Sequence, residues 1–141
     1  MPIIFQGVIT RDDLRRNPSV TYLFGDNELR AGYGGQAKEM RGEPNAVGIR
    51  TKLAPNMKPD SFWIEGEGWR RHSPDYFISM VENDFAPIRE QLGRGKIVII
   101  PSAGLGTGFA KLEQGAPVTF RYLQTIIELP QRGRFEVPTR G

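Results

Sequence analysis

The stretch KIVIIPSAGLGTGFA, residues 96–110, decides the fold class of this 141-residue chain. Residues 97–100 form an apolar and largely β-branched run, which is typical of a strand that is buried on both faces. Gly104, Gly106 and Gly108 follow closely and predict a glycine-rich loop after that strand. A buried strand that runs into such a loop is typical of the ligand-binding edge of an α/β protein.

A second stretch near the N-terminus has the same organisation. VTYLF, residues 20–24, is β-branched and aromatic, and GDNELRAGYGGQA, residues 25–37, follows it. Gly32, Gly34 and Gly35 permit positive φ and a close approach of the backbone to a ligand. Because ligands bind beyond the carboxyl ends of the strands in such sheets, we expect the two loops to form one pocket.

The rest of the chain alternates strand and helix signals. Apolar runs over residues 3–9 and 46–50 predict two more strands, and Ser73-Pro74-Asp75 predicts the start of a helix. Apolar residues at spacings of three and four continue that helix to residue 92, and Pro87 is expected to kink or divide it. The alternation predicts a single three-layer α/β domain over residues 1–141, with a mixed or parallel central sheet flanked by helices.

The composition excludes several kinds of site. The chain has no cysteine and a single histidine, His72, which excludes disulfides, thiolate chemistry and a histidine-based metal cluster within one chain. The longest apolar run is too short for a membrane span, and no signal pattern opens the chain, so we expect a cytoplasmic protein with no metal and no cofactor. A net charge of +3 and a pI of about 9.4 favour an anionic ligand.

Candidate phosphate contacts come from both loops. If a helix begins near Gly35, its free N–H groups and the positive end of its dipole favour an anion. The backbone of the second loop is suited to an anion-binding nest, although the loop lacks the Gly-Lys-Ser/Thr ending of a Walker loop. The candidates are Gly32, Gly34, Gly35 and Gln36 in the first loop, and Ser102, Gly104, Gly106, Thr107 and Gly108 in the second.

The order of these elements resembles a macro domain, the ADP-ribose-binding fold. Gly7-Val8-Ile9-Thr10 resembles the family's early Gly-Asp-Ile-Thr, and Asn27 with Leu29 ahead of the glycines resembles its Asn-x-x-Leu. Residues 99–109 resemble the family's late strand and diphosphate loop, which adds Phe109 to the candidate contacts. Val8 stands where the family usually has the acid that recognises the adenine amine, so the resemblance does not imply adenine selectivity.

The resemblance implies a pocket for ADP-ribose or a related nucleotide, with an ADP-ribosylated macromolecule as a conceivable partner. Binding alone and hydrolysis at the ribose both stay open. For hydrolysis, Asp26 is the candidate acid or base and Asn27 the group that orients a ribose hydroxyl. A diphosphate beside Asp26 is expected to raise its pKa, which suits proton transfer. The alternative from another class is a nucleic-acid-binding or assembly protein without catalytic activity, which the basic pI favours.

Overall fold

The computed structural model describes residues 3–131 and 135–137, with side chains at all of these except residues 106–108, 127–131 and 135–137. Within this part of the chain, five strands form one sheet in the order β3-β2-β4-β1-β5. Every pairing between these strands is parallel, so the predicted α/β class is confirmed and the sheet is not mixed. The strands are β1 (Ile3–Gln6), β2 (Thr21–Asn27), β3 (Ala46–Lys52), β4 (Val98–Pro101) and β5 (Phe135–Val137).

The helices begin where the sequence offers capping groups. Thr10 caps the first helix through a capping box with Asp13, and Ser73 caps the longest one, which has proline at its first position. That longest helix continues through Pro87, so of the two predicted effects of this proline, a kink or a division, the division is wrong. Phe85 and Ile88, on either side of the proline, are both buried in the core, and their packing offsets one missing backbone hydrogen bond. The helices are α1 (Arg11–Arg16), α2 (Ala37–Met40), α3 (Pro74–Gly93), α4 (Gly106–Gly115) and α5 (Pro117–Gln131), with a 3₁₀ turn at Pro59–Ser61.

Two hydrophobic clusters, one on each face of the sheet, produce the three layers. Helices α3, α4 and α5 cover one face, where Leu23 and Val98 of the sheet pack against Val81 and Leu112 of the helices. On the other face, helices α1 and α2 pack against β2 and β4, and the buried residues include Leu14, Tyr22 and Met40. No helix in the described part of the chain is long and apolar enough to cross a membrane.

Strands β2 and β4 are neighbours, and this adjacency brings the two glycine-containing loops to the same edge of the sheet. Thr21 pairs with Val98, and β2 runs on for several residues beyond its last pairing with β4. The start of α4 crosses this extension of β2, because a Cβ built on Gly25 would lie 1.8 Å from the carbonyl oxygen of Leu105. Only glycine permits this approach, which places the second loop beside the first.

Candidate functional site

A cavity of about 500 Å³ lies between the two loops at the carboxyl edge of the sheet. This volume lies within the usual range of small-molecule pockets, which is roughly 300–1,000 Å³. Among the predicted contacts, the structure brings together Asp26, Asn27, Gly32, Gly34, Gly35, Gln36 and Gly104. The cavity is also lined by Gly25, Ala31, Ala37, Arg41, Thr51, Lys52, Pro55, Met57, Pro101, Ala103 and Leu105.

The second loop is shorter than its glycine content predicts, because α4 begins at Gly106. Leu105, Phe109 and Leu112 follow one another at helical spacing and pack against the core, which favours a helix over a loop. The predicted contacts Gly106, Thr107 and Gly108 therefore form the first turn of α4, and their side chains lie outside the described part of the structure.

Two other predicted contacts do not line the cavity. The ring of Phe109 lies 5.1 Å from that of Phe120 and packs against the core. Ser102 is exposed, and its N–H donates to the carbonyl oxygen of Gln6 over 3.0 Å, which continues the β1–β4 ladder. Among the described residues of the second loop, Pro101, Ala103, Gly104 and Leu105 line the cavity.

The first loop does not present the predicted helix N-terminus to an anion. Helix α2 is one turn long, and the N–H groups of Ala37 and Lys38 donate to the carbonyl oxygens of Gly34 and Gly35 over 3.2 and 3.3 Å. Within the described residues, the backbone N–H groups of Gly34, Gly35 and Gln36 donate to no protein acceptor. The backbone donors for a ligand are therefore those that precede the helix, where Gly35 has a φ of +54°.

Asp26 is buried and paired with two arginines. One of its carboxylate oxygens accepts from Arg41, and the other lies 3.1 Å from Nη1 of Arg30. Burial by itself raises the pKa of Asp26, but the hydrogen bonds from Arg41, from the N–H of Asn27 and from Arg30 outweigh it, so the pKa lies below its usual value. In this arrangement the two arginines favour the ionised carboxylate.

The ion pairs continue from Asp26 to helix α3. Arg30 Nη2 lies 2.7 Å from a carboxylate oxygen of Asp84, and Arg50 Nη2 lies 2.9 Å from the same atom. Both aspartate side chains are almost fully buried, whereas the arginines reach solvent to different degrees. Arg30 also has a φ of +52°, a conformation that only a fixed local structure retains in a non-glycine residue. Asp26, Arg30, Arg41, Asp84 and Arg50 are called the charge network below.

The sequence contains one signal for this network, which our predictions did not include. Asp84 lies on the apolar face of α3, between Val81, Phe85 and Ile88, all of which are buried. A carboxylate at such a position is buried with its neighbours and requires a positively charged partner. The partners themselves, Arg30 and Arg50, are distant in sequence, so no local pattern identifies them.

Asn27 uses its side chain to hold the first loop. Its Nδ2 donates to the carbonyl oxygen of Ala31 over 2.8 Å, and its Oδ1 accepts from the N–H of Leu29 over 3.1 Å. Arg41 also stabilises the loop, because its Nε donates a hydrogen bond to the carbonyl oxygen of Gly32 over 2.7 Å. Asn27 therefore borders the cavity, but its amide oxygen already has a partner in the turn.

A bulge in β3 places a lysine at the cavity. Asp26 pairs with Arg50, but the next residue of β2, Asn27, pairs with Lys52, so Thr51 is the extra residue of the bulged strand. Arg50 contacts Asp84, while Lys52 lines the cavity and donates to the carbonyl oxygen of Asn56 over 3.2 Å. Burial lowers the pKa of Lys52, and within the described residues Lys52 forms no ion pair. A positive charge is thus held beside the loops with no carboxylate partner.

These features define the chain as an α/β protein with a glycine-lined pocket at the carboxyl edge of a parallel sheet. A family model matches residues 4–126, and the chain belongs to that family, DUF7831, which is described as a family of unknown function. No curated protein and no solved structure matches the chain. Within the described residues, no group of three or more His, Cys, Asp or Glu side chains is placed to hold a metal ion.

Proposed function

We propose that the cavity binds a phosphate-bearing nucleotide such as ADP-ribose or a derivative of it. The observation that carries the proposal is the convergence of two glycine-containing loops, from the adjacent strands β2 and β4, on one cavity. Ligands of open α/β sheets bind at the carboxyl ends of the strands, where glycines let the backbone approach a phosphate.

The groups around the cavity suit an anion. Consecutive backbone N–H groups at Gly34, Gly35 and Gln36 lack protein acceptors within the described residues, and such groups bind anions when a ligand supplies the oxygens. Lys52 contributes a positive charge that has no carboxylate partner in the described part of the chain. Asp26, the one carboxylate among the described residues that line the cavity, is paired with Arg30 and Arg41, which reduces its repulsion of a phosphate.

Binding without hydrolysis is the form of this function that we favour. The lowered pKa of Asp26 and its two arginine partners are typical of a structural carboxylate rather than of a general acid or base. The amide oxygen of Asn27 already accepts a hydrogen bond from the N–H of Leu29 in the first loop. We therefore propose that the resemblance to the ADP-ribose-binding fold extends to the ligand and not to hydrolysis of an ADP-ribosyl linkage.

Calorimetric titration of ADP-ribose, ADP and ribose 5-phosphate at fixed salt tests the proposal, with Gly104→Val as the diagnostic variant. Gly104 lines the cavity with a φ of +91°, and a Cβ there would meet no protein atom, so a valine side chain would extend into open space at the site. We expect a loss of affinity of at least about tenfold, because the side chain would occupy ligand space and resist the positive φ.

Gly95→Val is the matched control. Gly95 also has a positive φ, +73°, and open space around its Cβ position, but it lies in the turn before β4, at the opposite edge of the sheet. Both variants should lose similar stability, and only Gly104→Val should lose affinity. Unchanged affinity in Gly104→Val, or no binding of any of the three ligands by the parent protein, would refute the proposal. An assay on an ADP-ribosylated substrate should show no turnover that depends on Asp26.

A further inference from the structure

A second cavity adjoins the first and points to a longer ligand. It has a volume of about 950 Å³, and Met57 lines both cavities. Its walls come largely from the segment between β3 and α3 and from helix α4, and they are mostly apolar, with Phe62, Trp63 and Pro117 among them. The two cavities are therefore neighbours, with Met57 at their common border.

Two lysines, one from each cavity, lie near the same aromatic ring. Lys52 lines the first cavity and Lys111 lines the second, and their Nζ atoms lie 5.2 and 5.9 Å from the centre of the same aromatic ring, that of Phe62. Within the described residues, neither lysine forms an ion pair, and Lys111 has no hydrogen bond. Two like charges held close to one ring without a carboxylate leave room for an anion to compensate both.

The carboxylate that lines the second cavity already accepts hydrogen bonds from the protein. Glu65 lines it, but its two oxygens accept from the N–H groups of Val118 and Thr119 at the start of α5, and one also accepts from the Thr119 hydroxyl. Arg71 adds a further positive charge to the wall. Among the described residues, the charged side chains that line the second cavity are Lys111 and Arg71, which are positive, and Glu65, whose two oxygens already accept hydrogen bonds.

We infer that the ligand carries a second anionic group, a phosphate ester, which binds between Lys52 and Lys111 beside the ring of Phe62. This inference rests on the proposed nucleotide pocket and specifies its ligand as a nucleotide with two separated phosphate groups. The shared chemistry is a phosphate ester, which a free bisphosphorylated nucleotide and a nucleic-acid backbone both supply.

The test compares the affinity of AMP with that of adenosine 3′,5′-bisphosphate and adenosine 2′,5′-bisphosphate, by calorimetry at fixed salt. We expect at least one bisphosphate to bind about tenfold more tightly than AMP, because the added phosphate gains charge-assisted hydrogen bonds from ammonium groups. In Lys111→Gln the ratio of the two affinities should fall towards one. Lys96→Gln is the control, since Lys96 is exposed and precedes β4 at the opposite edge of the sheet, and it should retain the full ratio.

The last titration uses a single-stranded tetranucleotide, and its affinity identifies the source of the second phosphate. A gain with the tetranucleotide that exceeds the gain with either bisphosphate, and that Lys111→Gln removes, would assign the second phosphate to a nucleic-acid backbone. If AMP binds and no ligand with a second phosphate binds more tightly, the inference fails while the nucleotide pocket stands. If neither AMP nor a bisphosphate binds, the inference also fails, and the ADP-ribose titration decides separately on the proposed function.

Discussion

The two loops that border the cavity are held in place by different physical means. The first loop is fixed by charge: Arg41 bridges Asp26 and the carbonyl oxygen of Gly32, and Arg30 joins Asp26 to Asp84 of helix α3. The second loop contains no charged side chain between Pro101 and Leu105, and it is fixed by backbone packing of Leu105 on Gly25. One wall of the cavity therefore depends on ionisation and the other on steric fit.

This difference separates the substitutions that should disturb each wall. Removing a carboxylate from the charge network leaves arginines without their partners and should loosen the first loop. Adding a single methyl group under Leu105 should displace the second loop and leave the charges in place. We expect the larger loss of unfolding free energy at the second loop.

Gly25→Ala should cause the largest loss of stability. The new Cβ would lie 1.8 Å from the Leu105 carbonyl oxygen, a backbone atom that moves only if α4 moves away from β2. Overpacking against backbone should cost about 3 kcal/mol of unfolding free energy or more. Gly93→Ala is the matched control, because a Cβ at Gly93 meets no protein atom and the residue has no positive φ. Denaturant unfolding of both variants is the measurement, and equal stabilities would show that β2 and α4 do not approach as closely as described.

Asp26→Asn should cost less, about 2 kcal/mol, because the arginines that lose their partner are partly exposed and can be hydrated. Asp12→Asn is the control: Asp12 pairs with Arg16 over 3.1 Å, but both side chains are largely exposed, so its loss should be below about 1 kcal/mol. A loss at Asp26 no larger than that at Asp12 would mean that the charge network does not stabilise the first loop.

The pH dependence of the unfolding free energy tests whether the ionised form of Asp26 stabilises the protein. Folding lowers the pKa of Asp26, so its ion pairs stabilise the protein above the usual aspartate pKa, and this contribution is lost as pH falls through the lowered value. The stability gap between the parent protein and Asp26→Asn should therefore be constant near pH 6 and should narrow below about pH 4. A gap that stays constant down to pH 2 would show that ionisation of Asp26 does not contribute.

The sequence was sufficient to predict the sheet and the edge at which the cavity forms. Residues 21–24 of VTYLF and 98–100 of KIVII lie in buried strands because their β-branched and apolar side chains suit a sheet covered on both faces, and that composition is visible locally. The start of α3 at Ser73-Pro74 was also predicted, since capping residues act within one turn. These features depend on neighbours in the chain, which a single sequence displays.

The features that the sequence did not reveal depend on distant partners or on packing. Arg30 and Arg50 meet at Asp84 through the tertiary fold, and their spacing in the chain carries no trace of that contact. Helix α4 was not predicted, because glycines at 106 and 108 are typical of a loop, whereas burial of Leu105 and Leu112 favours the helix. The predicted rise in the pKa of Asp26 considered only the charge of a bound diphosphate. It did not include the ion pairs with Arg30 and Arg41, which come from the tertiary fold.

The central claim is that the two loops form a single pocket for one phosphate-bearing nucleotide. The most direct measurement is an NMR titration of the protein with ADP-ribose at fixed salt, following the backbone amide signals of glycines. The signals of Gly34, Gly35 and Gly104 should shift together and fit one dissociation constant, because all three residues line the same cavity. The signal of Gly95, at the opposite edge of the sheet, should not move. Shifts confined to one loop, or different dissociation constants for the two loops, would contradict the shared pocket.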